Sequence, residues 1–380
     1  MGALVELGKR PPALGGGGGD GATCDGVALS GFPAVSSTQA DAAARVPVGA
    51  ASAERELESH RRALTGYCYR MLGSPFEAED AVQETFLRAL RGLERFEGRA
   101  ALSSWLYRIA TNVCMDMLNG RARRARPMDL GGAGAPEAAN LNTLPEVTWI
   151  EPAPDALLGA ADDPADLALA RETTKLAFIA ALQHLPPRQR AALILCEVLH
   201  WQASEAAELL ETSVAAVNSA LQRSRTTLGA AALEADQASG EVDASQRELL
   251  ERYIGAFERY DLDSLAELIR EDARQSMPPY DLWLQGREDI FAWWVGPGIA
   301  CSGSRLLTAP AANGASAFGQ YKPSESGSGH EPWALQVVEL REGHISELTF
   351  FLDTARLFPL FGLPAHLEGS SDESRALAQS

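Results

Sequence analysis

Apolar residues recur at helical spacing along three stretches between residues 54 and 126. The first stretch ends at the Gly-Ser-Pro sequence at 73–75, which favours a break between two helices. A second helix is predicted from Pro75 and a third from Ser103 to about Leu118. Their apolar stripes consist of Leu57, Leu64, Tyr67, Cys68 and Met71 in the first helix, Ala81, Val82, Phe86, Leu87 and Leu90 in the second, and Trp105, Leu106, Ile109, Val113 and Met117 in the third.

A second helical pattern covers residues 168–233 and is interrupted by Leu-Pro-Pro at 185–187. Helices predicted over 205–211 and 214–228 are joined by a short turn, and Ser213 stands at the N-cap of the latter; this is typical of a helix-turn-helix. Alanines at 206, 207, 215 and 216 are expected at the helix crossing. Side chains expected to face outward are Ser213, Ala216, Asn218, Ser219, Gln222 and Arg223. Asn and Gln can pair with adenine, and Arg with guanine or phosphate. An alanine-rich helical hairpin without DNA contacts is the alternative.

The pattern changes again at residues 245–367. Helical periodicity over 246–257 and 264–269 is followed by strand-like segments at 273–277, 334–340 and 345–353, with Glu342-Gly343 as a tight hairpin turn. Helices followed by antiparallel strands favour an α+β domain. Its aromatic side chains are predicted to form a core rather than a ligand pocket: Tyr280, Trp283, Phe291, Trp293, Trp294, Trp333, Phe350 and Phe351.

Composition separates these domains. Residues 1–52 are rich in Gly, Ala, Ser and Pro and are predicted to be disordered, as is the tail 368–380. Residues 127–167 form an acidic linker, and 234–244 a second linker. The net charge of −18 excludes a uniformly basic coat protein, yet six arginines and one acid lie between Arg99 and Arg126. The five cysteines form no C-x-x-C pair, which argues against a zinc ribbon or a disulfide framework. No signal peptide or membrane-spanning run is expected.

Two motifs point to a family. The sequences EDAVQETF at 79–86 and SWLYRIATN at 104–112 closely resemble region 2 of bacterial sigma-70 factors of the extracytoplasmic-function (ECF) group. The sequence LPPRQR at 185–190 and the helix-turn-helix after it resemble region 4 of the same group. The C-terminal domain resembles SnoaL-like domains. The predicted fold is therefore multidomain, with two all-α sigma domains (53–126 and 168–233) and a cone-shaped α+β SnoaL-like domain (245–367).

The resemblance implies a sigma factor that binds core RNA polymerase, through the β′ clamp helices and the β flap, and directs initiation at promoter DNA. Region 2 would hold the β′ clamp helices through Asp80, Gln83, Glu84 and Arg88. It would melt the −10 element with Arg99, Trp105, Arg108, Asn112, Arg121, Arg123 and Arg124. Region 4 would recognise the −35 element with Ser213, Ala216, Asn218, Ser219, Gln222 and Arg223. Trp149, Pro152 and Asp155 would anchor the linker to the SnoaL-like domain, which would regulate activity intramolecularly.

The sequence departs from the group at Asn218 and Ala220, where the group commonly has basic residues. The −35 sequence that other members prefer therefore cannot be transferred to this chain. Two rival functions remain, a helix-turn-helix regulator with a ligand-sensing domain and a SnoaL-like enzyme on a helical scaffold. His330, His344 and Asp353 show no catalytic spacing, His344 is expected to be exposed, and no enzyme activity, cofactor or metal is expected. The predicted location is the bacterial cytoplasm, on the nucleoid when active, with no membrane partner.

Overall fold

Two compact units share the chain. The computed structural model describes residues 50–93, 101–138, 141–158, 173–235, 244–325 and 329–368. A helical unit contains the described residues of 50–124 and 150–235, and a sheet unit contains the described residues of 125–149 and 244–368. Within the helical unit, residues 50–124 are called here the N-terminal half, and residues 173–235 are called the C-terminal half. Arg99 and most of both termini predicted to be disordered lie outside the described ranges, although α1 begins at Ala50, inside the predicted extension 1–52.

The N-terminal half consists of four described helices. They are α1 (Ala50–Ser59), α2 (Arg61–Leu72), α3 (Pro75–Gly92) and α4 (Leu102–Leu118). Gly73 ends α2 in left-handed backbone (φ 76°), and the Ser74 side chain accepts a hydrogen bond from the Glu77 amide to begin α3. The predicted apolar stripe of α3 is wrong at its end: Leu87 and Leu90 are exposed, by 48% and 38%.

The C-terminal half contains the predicted helix-turn-helix. Its described helices are α5 (Leu176–Gln183), α6 (Pro187–Leu193), which continues as a π-helical turn (Ile194–Val198), α7 (Ala203–Leu209) and α8 (Val214–Ala235). The Ser213 hydroxyl accepts from the Ala216 amide at 3.1 Å, as an N-cap does. Ala206 and Ala207 are buried at the helix crossing as predicted, but Ala215 and Ala216 are exposed.

The sheet unit places helices against one mixed six-stranded sheet. Its helices are α9 (Ala244–Arg259), α10 (Leu262–Leu268), α11 (Arg287–Val295) and α12 (Thr354–Leu360). Its strands are β1 (Ile269–Ser276), β2 (Trp283–Gln285), β3 (Arg305–Ala312), β4 (Ala315–Pro323), β5 (His330–Arg341) and β6 (His344–Phe351), in the order β2-β1-β6-β5-β4-β3. Neighbouring strands are antiparallel except β1 and β6. The predicted α+β class and the Glu342-Gly343 turn are confirmed, whereas the sequence patterns did not indicate β2, β3, β4, α11 or α12.

The interior of the sheet unit is filled by the protein's own side chains. Trp293 and Trp294 are buried, in agreement with the predicted aromatic core. A chain of hydrogen bonds also runs through it: Tyr253 Oη donates to Gln336 Oε1 (2.8 Å), Gln336 Nε2 to Gln320 Oε1 (3.0 Å), and Gln320 Nε2 to Ser304 Oγ (3.1 Å). These buried polar side chains therefore supply hydrogen-bond partners to one another, which buried polar groups require because water cannot reach them.

The first part of the predicted linker is packed, not loose. Gly134 N donates to Trp283 O (2.9 Å), Trp283 Nε1 to Gly131 O (2.9 Å), and Leu144 N to Pro279 O (3.0 Å). Leu141 packs against the core of the sheet unit. The segment Ala125–Trp149, called here the strap, is consequently part of the sheet unit.

Candidate polymerase and promoter interface

The exposed face of α3 carries the four residues predicted to bind polymerase. Asp80 and Gln83 are exposed, and Glu84 and Arg88 are half-buried. Arg88 Nε donates to Glu84 Oε1 at 2.7 Å, and this hydrogen bond raises the pKa of the guanidinium. Arg88 also reaches Asp116 of α4 at 3.2 Å. The charged side chains are thus held in fixed positions by neighbours on the same surface.

Two apolar side chains extend this face. Leu87 follows Gln83 by one helical turn, and Leu90 follows Leu87 by three residues, so both lie beside the polar group. Their exposure makes the surface partly apolar, which is typical of a protein-binding patch. Periodicity assigned them to the core; only the structure reveals that no element within the described residues covers them.

Some of the residues predicted to contact the −10 element are already paired with other side chains of the protein. Asn112 is exposed, and Trp105 is half-buried beside Gly92 of α3. Arg124 is only 6% exposed and pairs with Glu77 (3.0 Å) and Glu151 (3.6 Å), so its role as a phosphate contact is not supported. Arg121 is exposed but pairs with Glu77 at 2.6 Å.

The other two described arginines of this set face the C-terminal half of the helical unit. Arg108 lies 3.6 Å from the Glu208 carboxylate of α7. Arg123 Nη1 lies 2.6 Å from His184 Nδ1, directly after α5. The four described arginines predicted to contact the −10 element are therefore engaged by other residues of the protein.

A buried polar contact joins the two halves where α2 ends. Arg190 of α6 donates to the Met71 carbonyl and, at 2.6 Å, to Gln183 Oε1. Arg70 donates to Thr173 O at 3.3 Å. Burial lowers the pKa of both guanidinium groups to about 10. Nearby, Tyr107 and Trp201 make an edge-to-face contact with ring centres 5.3 Å apart.

The recognition face of α8 is open. Val217, Leu221 and Ser224 point into the helical unit. All six residues predicted to contact the −35 element are exposed: Ser213, Ala216, Asn218, Ser219, Gln222 and Arg223. Ala220 is buried (8% exposed). The position at which the group commonly has a basic residue therefore does not lie on the exposed face of α8, and alanine there takes no DNA-contacting group away from that face. Val214 and Ala215, which had not been predicted, complete the exposed first turn.

The two arginines of α8 differ. Arg225 is held by Glu197 at 2.5 Å, whereas Arg223 makes no ion pair with any residue in the described ranges. Arg223 is thus the guanidinium on this helix that can reach an external anion without losing a partner.

The predicted linker anchor is divided between the units. Trp149 is 3% exposed and belongs to the strap, while Pro152 and Asp155 belong to the helical unit. There the Glu151 amide donates to Gly73 O (3.0 Å), and Tyr69 Oη donates to Glu151 O (2.9 Å). Trp149 therefore lies in the unit that contains the C-terminal sheet, whereas Pro152 and Asp155 do not. No helix in the described ranges combines the length and apolarity needed to cross a membrane.

Comparison with known proteins agrees with this division. The Sigma-70 region 2 family matches residues 57–124, and the Sigma-70 region 4 family matches residues 175–228. The ECF RNA polymerase sigma factor SigG of Mycobacterium tuberculosis H37Rv is 45% identical over 315 residues, covering 82% of this chain and 83% of SigG. SigJ of the same strain is 29% identical over 217 residues, covering 57% of this chain and 62% of SigJ.

The crystal structure of Mycobacterium tuberculosis SigJ shares the fold. Its TM-score is 0.52 at 21% identity, covering 82% of this chain and 99% of that chain. The predicted fold class is confirmed for the two sigma helical domains and for a C-terminal α+β domain. The extended similarity to SigG, with both sigma regions present in order, places the chain in the ECF family of RNA polymerase sigma factors, which direct promoter-specific transcription initiation.

Proposed function

We propose that this sigma factor holds the β′ clamp helices of core RNA polymerase with the exposed face of α3 and recognises the −35 element with α8. The observation that carries the proposal is the open face of α8, on which Asn218, Ser219 and Gln222 are exposed while the opposite side is core. A helix-turn-helix places the N-terminal part of such a helix in the major groove. The polymerase contact is supported by the mixed apolar and charged surface around Gln83 and Leu87.

The described helical unit corresponds to a closed form. The −10 and −35 elements lie about 25 base pairs apart, which is roughly 85 Å of duplex. A compact unit of roughly 140 residues has a radius of gyration of about 14 Å. The two halves must therefore separate before both elements are bound, and separation frees Arg108 and Arg123 for the melted −10 strand. Bound in this way, the protein would be found on the nucleoid.

The sheet unit is proposed to act on the helical unit through the strap and not by catalysis. Among its described residues, no Asp, Glu or His side chain is buried, so its interior offers no carboxylate or imidazole for general catalysis. The chain passes from the helical unit into the strap at Arg124 and returns at Ile150. The Ala125 amide donates to Thr148 O at 2.7 Å, which holds both crossing points together. A change in how the sheet unit holds the strap would alter both crossing points at once.

Run-off transcription with core polymerase tests the −35 assignment. Arg223→Ala is expected to lower output from promoters that carry a −35 element, because the free guanidinium contacts guanine or phosphate. Arg62→Ala, the same loss of charge at an exposed site on α2, is the control and should leave output unchanged. Equal loss in both variants, or no loss with Arg223→Ala, would contradict the assignment.

Binding to core polymerase tests the α3 assignment separately. Gln83→Ala combined with Glu84→Ala should weaken binding in a titration, and Leu87→Ser should weaken it further because it removes exposed apolar area from the contact. Glu248→Ala in the sheet unit, also an exposed carboxylate, is the control. Wild-type affinity in all the α3 variants would exclude this face.

A further inference from the structure

The first turn of the recognition helix is apolar and exposed. It consists of Val214, Ala215 and Ala216, and Val214 is 44% exposed although other apolar side chains of α8 are buried. A ligand that covers exposed apolar surface and removes it from water lowers the free energy of the complex.

These three side chains have no hydrogen-bonding group to offer a base. Ser213, which precedes them, uses its oxygen to cap the Ala216 amide at 3.1 Å. The N-terminal side chains of a recognition helix lie nearest the base edges. This turn can consequently distinguish base pairs only by shape and apolar contact. In the major groove, thymine is the base that presents an apolar group, its C5-methyl.

The second turn adds an amide on the same side. Asn218 follows Val214 by four residues, so the two side chains are neighbours on the helix surface. The side chain of Asn218 is exposed and has no hydrogen-bond partner in the described ranges. An asparagine amide pairs with N6 and N7 of adenine. Val214 and Asn218 together fit two adjacent A·T pairs, Val214 through a thymine methyl and Asn218 through an adenine.

We propose that Val214 is a specificity-determining residue, whose isopropyl group packs on the C5-methyl of a thymine in the −35 element while Asn218 pairs with a neighbouring adenine. The inference rests on the proposed function of α8 as the −35 recognition helix. It assigns the first turn of this helix to methyl recognition and leaves Arg223 to phosphate or guanine.

Selection from a randomised duplex library, with holoenzyme assembled from core polymerase and the full chain, tests the inference. Wild type should enrich a thymine at one upstream position. Val214→Ser removes both methyl groups and leaves a hydroxyl, and it should lose this preference. Val295→Ser, which changes a 53% exposed valine in the sheet unit, is the matched control and should keep it.

Uracil substitution at the selected thymine then isolates the methyl group. It should weaken wild-type binding about fourfold, the value of one buried methyl, and should leave Val214→Ser unaffected. An unchanged wild-type affinity, or a thymine preference that survives in Val214→Ser, would overturn the inference while −35 recognition stands. A library that yields no upstream element at all would instead contradict the proposed function.

Discussion

Arg70 and Arg190 bury guanidinium groups where the two halves of the helical unit meet. Neither forms an ion pair with an acid in the described ranges; their partners are carbonyls, an amide and a hydroxyl. Burial without a counter-charge lowers the pKa of each to about 10, which means that the charged form pays a desolvation cost. Separation of the halves returns both charges to water, so this contact suits a closed form that must open.

Glu208→Gln should favour the open form. The change removes the carboxylate that faces Arg108 but keeps the size of the side chain. Because an exposed ion pair contributes little, affinity for a mixed-sequence single-stranded DNA should rise only about twofold. Fluorescence anisotropy would measure it. Glu211→Gln, with the same charge change in the turn before α8, is the control, and an equal rise in both variants would show a net-charge effect only.

Buried tyrosines predict sensitivity to alkali. Burial raises the pKa of Tyr107 to about 12 and that of Tyr67 well above its ordinary value of 10. The folded state therefore keeps protons that the unfolded state loses, so stability is complete below pH 10 and falls towards pH 12. The unfolding constant should rise about tenfold per pH unit for each such tyrosine.

Urea titrations between pH 9 and 12 would measure this dependence, with tyrosinate absorbance as a second signal. Tyr107→Phe should reduce the slope by about one proton. A slope that is identical in wild type and Tyr107→Phe would show that Tyr107 ionises in the folded state with its ordinary pKa.

The two long hairpins illustrate what local sequence can and cannot reveal. Glu342 and Gly343 both have positive φ (54° and 74°), and the turn they form was predicted. Asn313 and Gly314 have the same geometry between β3 and β4 (54° and 76°). That Asn-Gly pair is a strong hairpin signal and had been overlooked. The strands beside it are rich in alanine, so their periodicity was weak.

Gly343→Ala should destabilise the sheet unit by about 1 kcal/mol, because a Cβ atom strains left-handed backbone. No atom lies within 4 Å of the position that this Cβ would take, so the cost is conformational and not steric. Chemical denaturation measures the change in unfolding free energy. Gly132→Ala, in equally open space without positive φ, should be neutral; equal losses in both variants would contradict the argument.

At the scale of the whole molecule, the strap is the feature that sequence composition misrepresented. Its glycine, proline and acidic content predicted a loose linker, yet it donates to and accepts from β2 and the residues just before it. Arg356 of α12 also pairs with Glu146 of the strap. These contacts support the proposal that the sheet unit acts on the helical unit through the strap.

Deletion of residues 245–380 should change promoter output without abolishing DNA recognition. Hydrogen exchange should show that the Gly134 and Leu144 amides lose protection, since their acceptors Trp283 O and Pro279 O are gone. The Glu151 amide, which donates to Gly73 O within the helical unit, should keep its protection. Loss of protection throughout the helical unit would show that the sheet unit is required for folding.

The sequence alone determined the helical elements, the helix-turn-helix and the α+β class, because helical periodicity, capping residues and turn chemistry act over a few residues. The family followed from the resemblance of the motifs at 79–86, 104–112 and 185–190 to sigma factors. The outward face of α8 followed in the same way, apart from Val214 and Ala215. The tertiary structure decided which apolar side chains remain uncovered, as for Leu87, and which arginines are engaged, as for Arg124 and Arg108. It also decided that the strap belongs to the sheet unit. Burial and charge pairing depend on neighbours distant in sequence, which no local pattern specifies.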